Sequence, residues 1–315
     1  MKVSVVAPVF DEQESLEIFV ERVLGAISRE QSEYDWELIL VDDGSTDDSA
    51  QIIQRLAQDG SIVKGIVFTR NFGHQNALLA GIVHSSGDAI VTLDSDLQDP
   101  PELIPEMLRG FESGFDVVHA VRTRRLGEKW TKRILASVFY RTLRKLVDFE
   151  VAIDSGDFRL ISRRVVSALE RSSEGSQYLR GQISWFGYSS YTVSYERESR
   201  KHGFSKYPFR KSLRLALDAI VSLSGLPLRL VSIFGIALSC LVLLSGSLSF
   251  GAEMLLGVER DSIRATDGWI RTLALTYLLG ATAVIAGYIG RLMFQVRKLP
   301  PYVISEMHNF DSFRR

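Results

Sequence analysis

Two long runs without charged side chains constrain the fold of this chain more than any other feature. The first extends from Leu230 to Ala252 and the second from Thr272 to Gly290. A helix needs about 20 mostly apolar residues to cross the hydrocarbon core of a bilayer, so both runs are long enough. The alternative, a pair of buried helices in a soluble domain, fits poorly with so long and continuous a first run. The pattern predicts a transmembrane hairpin, with helices at about 229–252 and 270–293.

The charges that flank these runs predict on which side of the membrane the rest of the chain lies. The loop from Glu253 to Arg271 carries four acidic residues and three arginines. The opposite flanks are basic, with Arg210, Lys211, Arg214, Arg229, Arg291, Arg297 and Lys298. Because cytoplasmic flanks carry an excess of Lys and Arg, the part of the chain that precedes the hairpin is predicted to lie in the cytoplasm. The small residues Ala283 and Gly287 would permit close helix packing, and hence a homo-oligomer.

The first two thirds of the chain alternate short β-branched runs with amphipathic stretches. The strand candidates are Val3–Ala7, Glu37–Val41, Val63–Phe68, Ala89–Leu93, Asp116–Ala120, Phe158–Ile161 and Tyr191–Tyr195. Helical patterns separate the first five candidates and lie near Glu14–Ser28, Asp47–Gln58, Gln75–His84 and Glu102–Glu112. This alternation predicts an α/β domain whose mostly parallel sheet has helices on both faces. In such sheets ligands bind at the carboxyl ends of the strands.

Acidic residues follow two of the predicted strands at that edge. Asp94-Ser95-Asp96 comes after one apolar run and Asp42-Asp43-Gly44-Ser45 after another. Paired carboxylates at a strand end can hold a hard divalent cation that also binds phosphate oxygens. Pro8, Phe10 and Glu12 end the first strand, and a proline and aromatic wall beside carboxylates suits a nucleoside.

A simpler explanation of the second acidic cluster is an acidic turn before a helix. It accounts for Asp99, which is predicted to be an N-cap with Pro100 in the first helical position and Glu102 completing a capping box. It leaves Asp94 and Asp96 unexplained.

Composition excludes several classes of function. The formal net charge is −1, so no global basic field favours nucleic acid. The single cysteine, Cys240, excludes a disulfide within the chain and a cysteine-based zinc site. A dinucleotide-dependent oxidoreductase would carry G-x-G-x-x-G after its first strand, and Pro8-Val9-Phe10-Asp11 stands there instead.

Four segments together resemble a known family. They are Ala7-Pro8-Val9-Phe10-Asp11-Glu12, Asp42-Asp43-Gly44-Ser45, Arg70-Asn71-Phe72-Gly73-His74-Gln75 and Asp94-Ser95-Asp96-Leu97-Gln98-Asp99-Pro100-Pro101-Glu102. In this order they look like the family 2 glycosyltransferases of the Rossmann-like GT-A fold, in the branch that acts on polyprenyl phosphates. That branch includes the dolichyl-phosphate mannose synthases and the bactoprenol glucosyltransferases. The C-terminal helix pair brings the chain closest to the latter.

The resemblance implies a role for each matching residue. The nucleotide site would be lined by Pro8, Phe10, Glu12, Asp42, Asp43 and Asp94. The metal, Mg²⁺ or Mn²⁺, would be held by Asp94, Asp96 and Gln98. The catalytic residues would be Asp157 and Asp94. The acceptor phosphate and lipid would be contacted by Arg122, Arg200, Ser205 and Lys206.

The implied reaction is an inverting transfer of a hexose, glucose from UDP-glucose by the nearest resemblance, to polyprenyl (undecaprenyl) phosphate. GDP-mannose and a UDP-linked aminoarabinose derivative are the competing donors. Gln177-Tyr178-Leu179-Arg180-Gly181 has glycine where processive synthases have tryptophan, which argues against polymer synthesis. A non-catalytic membrane scaffold that binds nucleotide sugar is the alternative from another class.

The chain is therefore predicted to be organised in three parts, with a nucleotide-diphosphate sugar, a polyprenyl phosphate lipid and the bilayer as partners. A cytoplasmic GT-A domain would occupy residues 1–207 and an interfacial amphipathic segment residues 208–227. The transmembrane hairpin with a short cytoplasmic tail would occupy residues 228–315.

The resemblance makes Asp157 a general base. An acceptor phosphate with a second pKa of about 6 is already ionised at neutral pH, which favours an orienting role instead.

Overall fold

The computed structural model describes residues 1–28, 33–58, 62–122, 155–172, 179–195, 226–256, 260–296 and 299–310. The chain forms two compact units, one of Met1–Lys206 with Pro300–Arg315 and one of Tyr207–Leu299. Three of the residues predicted to bind the acceptor, Arg200, Ser205 and Lys206, lie outside the described residues. So does most of the segment 208–227.

Eight strands form one sheet within the described part of the first unit. They are β1 Lys2–Val9, β2 Asp35–Asp42, β3 Val63–Phe68, β4 Ala89–Thr92, β5 Val117–Arg122, β6 Ser155–Ser162, β7 Ser190–Tyr195 and β8 Ile304–His308. Their order across the sheet is β7-β5-β6-β4-β1-β2-β3-β8. The strands β1 to β4 pair in parallel, as do β5 and β7. β6 runs antiparallel to β4 and β5, and β8 runs antiparallel to β3. The predicted mostly parallel sheet is confirmed.

Helices cover both faces of this sheet. Successive side chains of a strand point to opposite faces, and here the side chains on both faces are apolar and are buried by helices. The helices are α1 Leu16–Ile27, α2 Ser49–Gln58, α3 His74–His84, α4 Ile104–Glu112, α5 Arg163–Arg171 and α6 Leu179–Trp185. On one face Val5 packs in a buried cluster with Phe19 of α1, and on the other Val6 packs in a second cluster with Leu78 of α3. The α/β layering predicted from the sequence is the one observed.

The last strand of the sheet is formed by residues that follow the second apolar run. The sequence predicts only a short tail there, but β8 pairs with the edge strand β3, and Pro300–Arg315 belongs to the same unit as β3. The side-chain amide of Asn309 donates to the backbone oxygen of Val63 at 2.7 Å. The sequence pattern does not predict β8, because Ile304-Ser305-Glu306-Met307-His308 is short and has no strong apolar alternation.

The second unit contains two long helices, α7 Leu226–Leu256 and α8 Arg260–Val296. Their apolar segments are Leu230–Leu248 and Thr272–Gly290, with mean hydropathies of 2.2 and 1.7. These segments are 0% and 6% buried within the structure, whereas the core helix of a soluble domain would be mostly buried. Both helices are therefore long and apolar enough to cross a membrane, and the buried-pair alternative is not supported.

Candidate active site

The loops that follow β1 and β2 are locked together by reciprocal hydrogen bonds. The Asp11 carboxylate accepts from the backbone N–H of Thr46 at 2.8 Å, and the backbone N–H of Asp11 donates to the Ser45 hydroxyl at 3.0 Å. The backbone N–H of Asp48 donates to the Gln13 side chain at 3.1 Å. Asp11 adopts a left-handed conformation with φ 53°, which a short polar side chain tolerates better than most. The two loops thus form one rim at the carboxyl edge of the sheet.

Three residues predicted for the nucleotide site lie in or beside this rim. Phe10 is 39% exposed, which leaves an aromatic face accessible for stacking on a base. The backbone oxygen of Pro8 accepts from the Ser95 hydroxyl at 2.8 Å, which joins the end of β1 to the loop after β4. The Glu12 carboxylate accepts from the Ser15 hydroxyl at 2.6 Å.

The two carboxylates that end β2 bind different parts of the structure. Asp42 is buried and accepts from the backbone N–H of Ser45 at 3.2 Å, within its own loop. Asp43 accepts from the backbone N–H groups of Phe72 and Gly73, at 2.7 and 3.0 Å. Burial raises the pKa of both carboxyls above the usual value of 3.8. The observed contacts of Asp43 hold the turn that begins α3.

Gly44 lets the β2 loop lie directly against the segment before that turn. Its φ is +68°, and a Cβ atom at this position would stand 2.3 Å from the backbone carbon of Arg70. A side chain would collide with backbone, which cannot move aside easily. The glycine in the Asp42-Asp43-Gly44-Ser45 motif is therefore required by close packing as well as by backbone conformation.

Asp157 lies near the start of β6 and is surrounded by hydrogen-bond donors. Its carboxylate is contacted by His74 Nε2 at 3.2 Å, Gln75 Nε2 at 3.1 Å, Arg159 at 3.1 Å and Arg180 at 3.2 Å. Burial by itself raises the pKa of this carboxyl. The hydrogen bond with His74 and the charges of Arg180 and Arg159 outweigh burial and hold the pKa far below its usual range. Asp157 is therefore ionised and a weak base.

The antiparallel placement of β6 brings these groups together. Because β6 lies between β4 and β5, the end of β4 stands beside Asp157, and the Thr92 hydroxyl donates to the backbone oxygen of Asp157 at 2.5 Å. Arg159 lies two residues further along β6, on the same face, while Arg180 comes from α6. Arg180 belongs to the segment that resembles the motif of processive synthases, of which Gln177 and Tyr178 lie outside the described residues.

His74 is the first residue of α3, and local sequence pattern predicts no more than that helix start. Its contacts with the two carboxylates depend on the tertiary structure. Its Nε2 stands 3.2 Å from Asp157 and 3.5 Å from an oxygen of Asp94. Burial lowers its pKa, but the hydrogen bond to Asp157 and the charges of Asp94 and Asp157 raise it to about 9. At neutral pH a cationic imidazolium therefore joins the two carboxylates predicted to be catalytic.

Asp94 carries a carboxylate oxygen that the protein leaves without a hydrogen bond. This Oδ1 is shielded from solvent and accepts no hydrogen bond, but it is the oxygen that forms the ion pair with His74 Nε2 at 3.5 Å. Burial raises the pKa of the carboxyl to about 6, although the charge of His74 lowers it. The Asp94 side chain is 26% exposed, and a carboxylate at such a strand end suits a bound cation. Asp96 is half-buried two residues on and accepts from the backbone N–H of Gln98 at 3.2 Å.

These residues fit a divalent cation as part of its ligand set. In the described part of the chain no group of three or more His, Cys, Asp or Glu side chains is arranged to hold a metal ion. Mg²⁺ commonly binds through one or two carboxylates and completes its coordination with substrate phosphates and water. Asp94 and Asp96 match that pattern. Gln98 is buried, and Leu97 before it has φ 61°, so the loop is tightly constrained there.

Asp99 does not cap the following helix, and the N-cap prediction is wrong. The short 3₁₀ helix Pro101–Leu103 and α4 after it have no side-chain cap. Asp99 is buried and accepts from the Tyr195 hydroxyl of β7 at 2.5 Å. This hydrogen bond joins distant parts of the sequence and replaces the local capping hydrogen bond.

Arg122, predicted to reach phosphate, ends β5, and its side chain lies outside the described residues.

Comparison with known proteins relates the chain to glycosyltransferases. The family model described as glycosyl transferase family 2 matches residues 4–169. The chain is 37% identical to the uncharacterized glycosyltransferase YkcC of Bacillus subtilis, over 99% of this chain and 95% of that protein. It is 35% identical to the bactoprenol glucosyl transferase of Shigella phage SfII, over 98% of this chain and 99% of that protein.

Among solved structures, one similar protein is glucosyl-3-phosphoglycerate synthase from Mycobacterium tuberculosis in complex with Mn²⁺, uridine diphosphate and phosphoglyceric acid. It is 19% identical, covers 71% of this chain and 78% of its own, and has a TM-score of 0.45.

Proposed function

The chain belongs to glycosyl transferase family 2, and on that premise we propose that it transfers glucose from UDP-glucose to a polyprenyl phosphate. Relatives named bactoprenol glucosyl transferases, which align over nearly the whole chain, support glucose as the transferred sugar and a polyprenyl phosphate as the acceptor. The observation that carries the proposal is the pair Asp94 and Asp157, joined by His74 at the carboxyl edge of the sheet. One carboxylate is open to a cation, and the other is enclosed by positive charge.

The donor would bind between the rim and Asp94. The exposed ring of Phe10 would stack on the uracil, and Asp42 and Glu12 would accept hydrogen bonds from the base or the ribose. Asp94 and Asp96 would hold Mg²⁺ or Mn²⁺ together with the diphosphate. When bound, the cation would neutralise the charge that builds on the departing nucleoside diphosphate.

Asp157 would orient the reactants and not remove a proton. A carboxylate with so low a pKa is a poor base, because general bases work best when their pKa lies near the operating pH. The acceptor phosphate has a second pKa of about 6 and is mostly a dianion at neutral pH, so it attacks without help. Asp157 instead fixes the directions of Arg159, Arg180 and His74. It also adds negative charge close to where the sugar develops positive charge.

His74 would link the donor half of the site to the other half. As an imidazolium it compensates both Asp94 and Asp157, which would otherwise repel each other. This pairing keeps two carboxylates ionised within one cluster. The basic residues Arg200 and Lys206, together with the hydroxyl of Ser205, are proposed to hold the acceptor phosphate on the sequence resemblance alone.

The helices α7 and α8 would anchor the enzyme in the membrane where its acceptor is confined. Their apolar segments have the necessary length. The basic flanks favour a cytoplasmic catalytic domain, where nucleotide sugars are available. A homo-oligomer formed through α8 stays a prediction.

The decisive test is a panel of nucleotide sugars with purified full-length protein and undecaprenyl phosphate. UDP-glucose is expected to give a glucosylated lipid and free UDP at a higher kcat/KM than GDP-mannose or a UDP-linked aminoarabinose derivative. A higher kcat/KM with either competing donor would show that this donor, and not UDP-glucose, is the substrate. Binding of nucleotide sugar with neither lipid product nor release of nucleoside diphosphate would identify a scaffold instead.

A further inference from the structure

An aromatic stack connects the C-terminal tail to the end of β3. The ring of Tyr302 lies flat on Phe68, with centroids 5.1 Å apart and planes 7° from parallel. Phe68 in turn meets Phe72 edge to face at 5.7 Å. The guanidinium of Arg70 lies 3.9 Å from the centroid of the Phe72 ring. Three aromatic rings and one cation thus support the segment that runs from β3 to α3.

Phe72 is fixed at its backbone as well as at its ring. Its N–H donates to Asp43 at 2.7 Å, and its backbone oxygen accepts from the Asn76 side chain at 2.8 Å. Gly73 follows with φ 101°, and α3 begins at the next residue, His74. A shift of the Phe72 ring would therefore move the first turn of α3. Displacements of about 1 Å in groups around a reacting centre can cost roughly 10²-fold in rate.

We propose that Tyr302 is a positioning residue, whose stack on Phe68 holds Phe72 and thereby keeps His74 between Asp94 and Asp157. The inference rests on the role proposed above for His74. It adds a dependence of the active site on the tail, since Tyr302 comes shortly after Val296, the last residue of α8. The segment that leaves the second apolar helix supplies support for the catalytic cluster.

The tail offers a control at its other end. Phe310 lies under Lys64, with the ammonium 5.1 Å from the ring centroid, beside the start of β3. It also packs against the same buried cluster as Tyr302 and Phe72. A change at Phe310 loosens the tail without touching the stack that leads to His74. Variants at Phe310 and Tyr302 therefore distinguish a general loss of tail packing from a specific displacement of His74.

The experiment measures kcat, donor KM and the melting midpoint of the full-length enzyme in lipid nanodiscs. Tyr302→Leu keeps apolar volume but removes the stacked ring, and is expected to lower kcat about 10-fold or more. Its donor KM should stay within about twofold, since the rim that binds the nucleotide is intact. Tyr302→Phe keeps the ring and should restore kcat. Phe310→Ala should lower the melting midpoint at least as much as Tyr302→Leu while leaving kcat within about twofold.

Two results would overturn the inference and leave the role of His74 standing. One is a fall in kcat in Phe310→Ala that matches Tyr302→Leu, because then the tail acts only through stability. The other is wild-type kcat in Tyr302→Leu while His74→Ala is inactive, which leaves the proposed role of His74 intact. If His74→Ala keeps wild-type kcat, the role of His74 fails first and this inference with it. Support for the inference would come from the double variant, in which Tyr302→Leu should lower kcat little further in a His74→Ala background, as expected for coupled residues.

Discussion

Two carboxylates at opposite edges of the sheet have opposite surroundings, because Glu37 is buried whereas the Asp94 side chain is 26% exposed. Glu37, near the start of β2, accepts from the Ser4 hydroxyl at 2.6 Å, from the backbone N–H of Ser86 at 2.6 Å and from the Lys64 ammonium at 2.8 Å. Burial raises its pKa, but Lys64, Ser4 and Ser86 together lower it to about 2. Asp94, at the carboxyl edge, keeps an oxygen without a hydrogen bond and has its pKa raised to about 6.

The difference separates a carboxylate that serves folding from one that serves a ligand. A fully hydrogen-bonded buried charge rigidifies the structure around it, whereas an incompletely satisfied one destabilises the protein until something binds. Glu37 ties together β1, β3 and the loop before β4. Asp94 is held ready at the edge where ligands bind in such sheets. The predictions below test whether the two edges divide stability and activity between them.

The largest effect is expected at Asp94. Asp94→Asn should lower kcat by roughly 10³-fold, because the neutral amide cannot hold the cation beside the diphosphate. The melting midpoint at pH 7 should stay unchanged or rise, since the folded state disfavours a charge at this position. Glu37→Gln is the matched control, with kcat near wild type at temperatures where it is folded. A comparable loss of kcat in Glu37→Gln would break the division between the edges.

Loss of the metal should reproduce the effect of Asp94→Asn in the wild-type enzyme. Excess chelator is expected to reduce transfer to the level of Asp96→Ala, and addition of Mg²⁺ or Mn²⁺ should restore only the wild type. Product formation in chelator, followed by chromatography of the lipid, provides the measurement. Full activity in chelator would remove the cation from the mechanism.

Asp157→Asn should lower kcat by about 10²-fold through loss of orientation. The acidic limb of the pH–rate profile should survive in the variant, because the acceptor phosphate, with a second pKa of about 6, and the Asp94 carboxyl, with its pKa raised to about 6, both titrate there. An acceptor analogue with a lower phosphate pKa should move the phosphate's part of the limb to lower pH and leave the part that Asp94 contributes. If the acidic limb stays at the same pH with the analogue and disappears in Asp157→Asn, Asp157 is the base.

Glu37→Gln should cost stability and little else. The pKa of Glu37 is lowered from 4.5 to about 2, so its contribution is fully present above pH 4.5 and is lost as the pH falls towards 2. The shift corresponds to about 3 kcal/mol at neutral pH. We expect the melting midpoint of the variant to lie roughly 5–10 °C below wild type at pH 7. The gap should narrow as the pH falls below 4.5, and a constant gap would contradict the assignment.

The smallest effect is expected at Lys2, the outer partner of Glu37. Its ammonium lies 3.4 Å from the carboxylate and its side chain is 32% exposed, so solvent screens the pair. Lys2→Ala should cost less than about 1 kcal/mol, and addition of salt should reduce the difference further. Thermal unfolding at low and high ionic strength measures both. A loss as large as that of Glu37→Gln would mean that Glu37 depends on its exposed partner.

The sheet could be predicted because buried parallel strands are nearly continuous apolar runs. Val3–Ala7 and Ala89–Leu93 are such runs, and the structure contains strands at both places. The acidic residues after them could be placed at one edge, because the carboxyl ends of parallel strands meet there. This reasoning gave Asp42 and Asp94 from local pattern alone.

The contacts that complete the site depend on strand order, which local pattern does not contain. His74 reaches Asp157 only because β6 inserts antiparallel beside β4. Asp99 has a good local capping pattern, yet it is drawn to Tyr195, which is 96 residues away along the chain. The strand β8 could not be foreseen either, since its partner β3 precedes it by more than 230 positions.

Because β3 pairs with β8, the sheet cannot be completed until the C-terminal end of the chain has been synthesised. The ribosome makes the chain between Phe68 and Ile304 in roughly 10–50 s, at about 5–20 residues per second. Both apolar helices are made within that interval, and throughout it the outer edge of β3 has no neighbour. Open sheet edges invite pairing with other chains, so the nascent domain is exposed to aggregation until β8 has been made. A soluble catalytic fragment that stops before α7 would carry this open edge permanently, and residues 299–310 would have to be grafted back to close it.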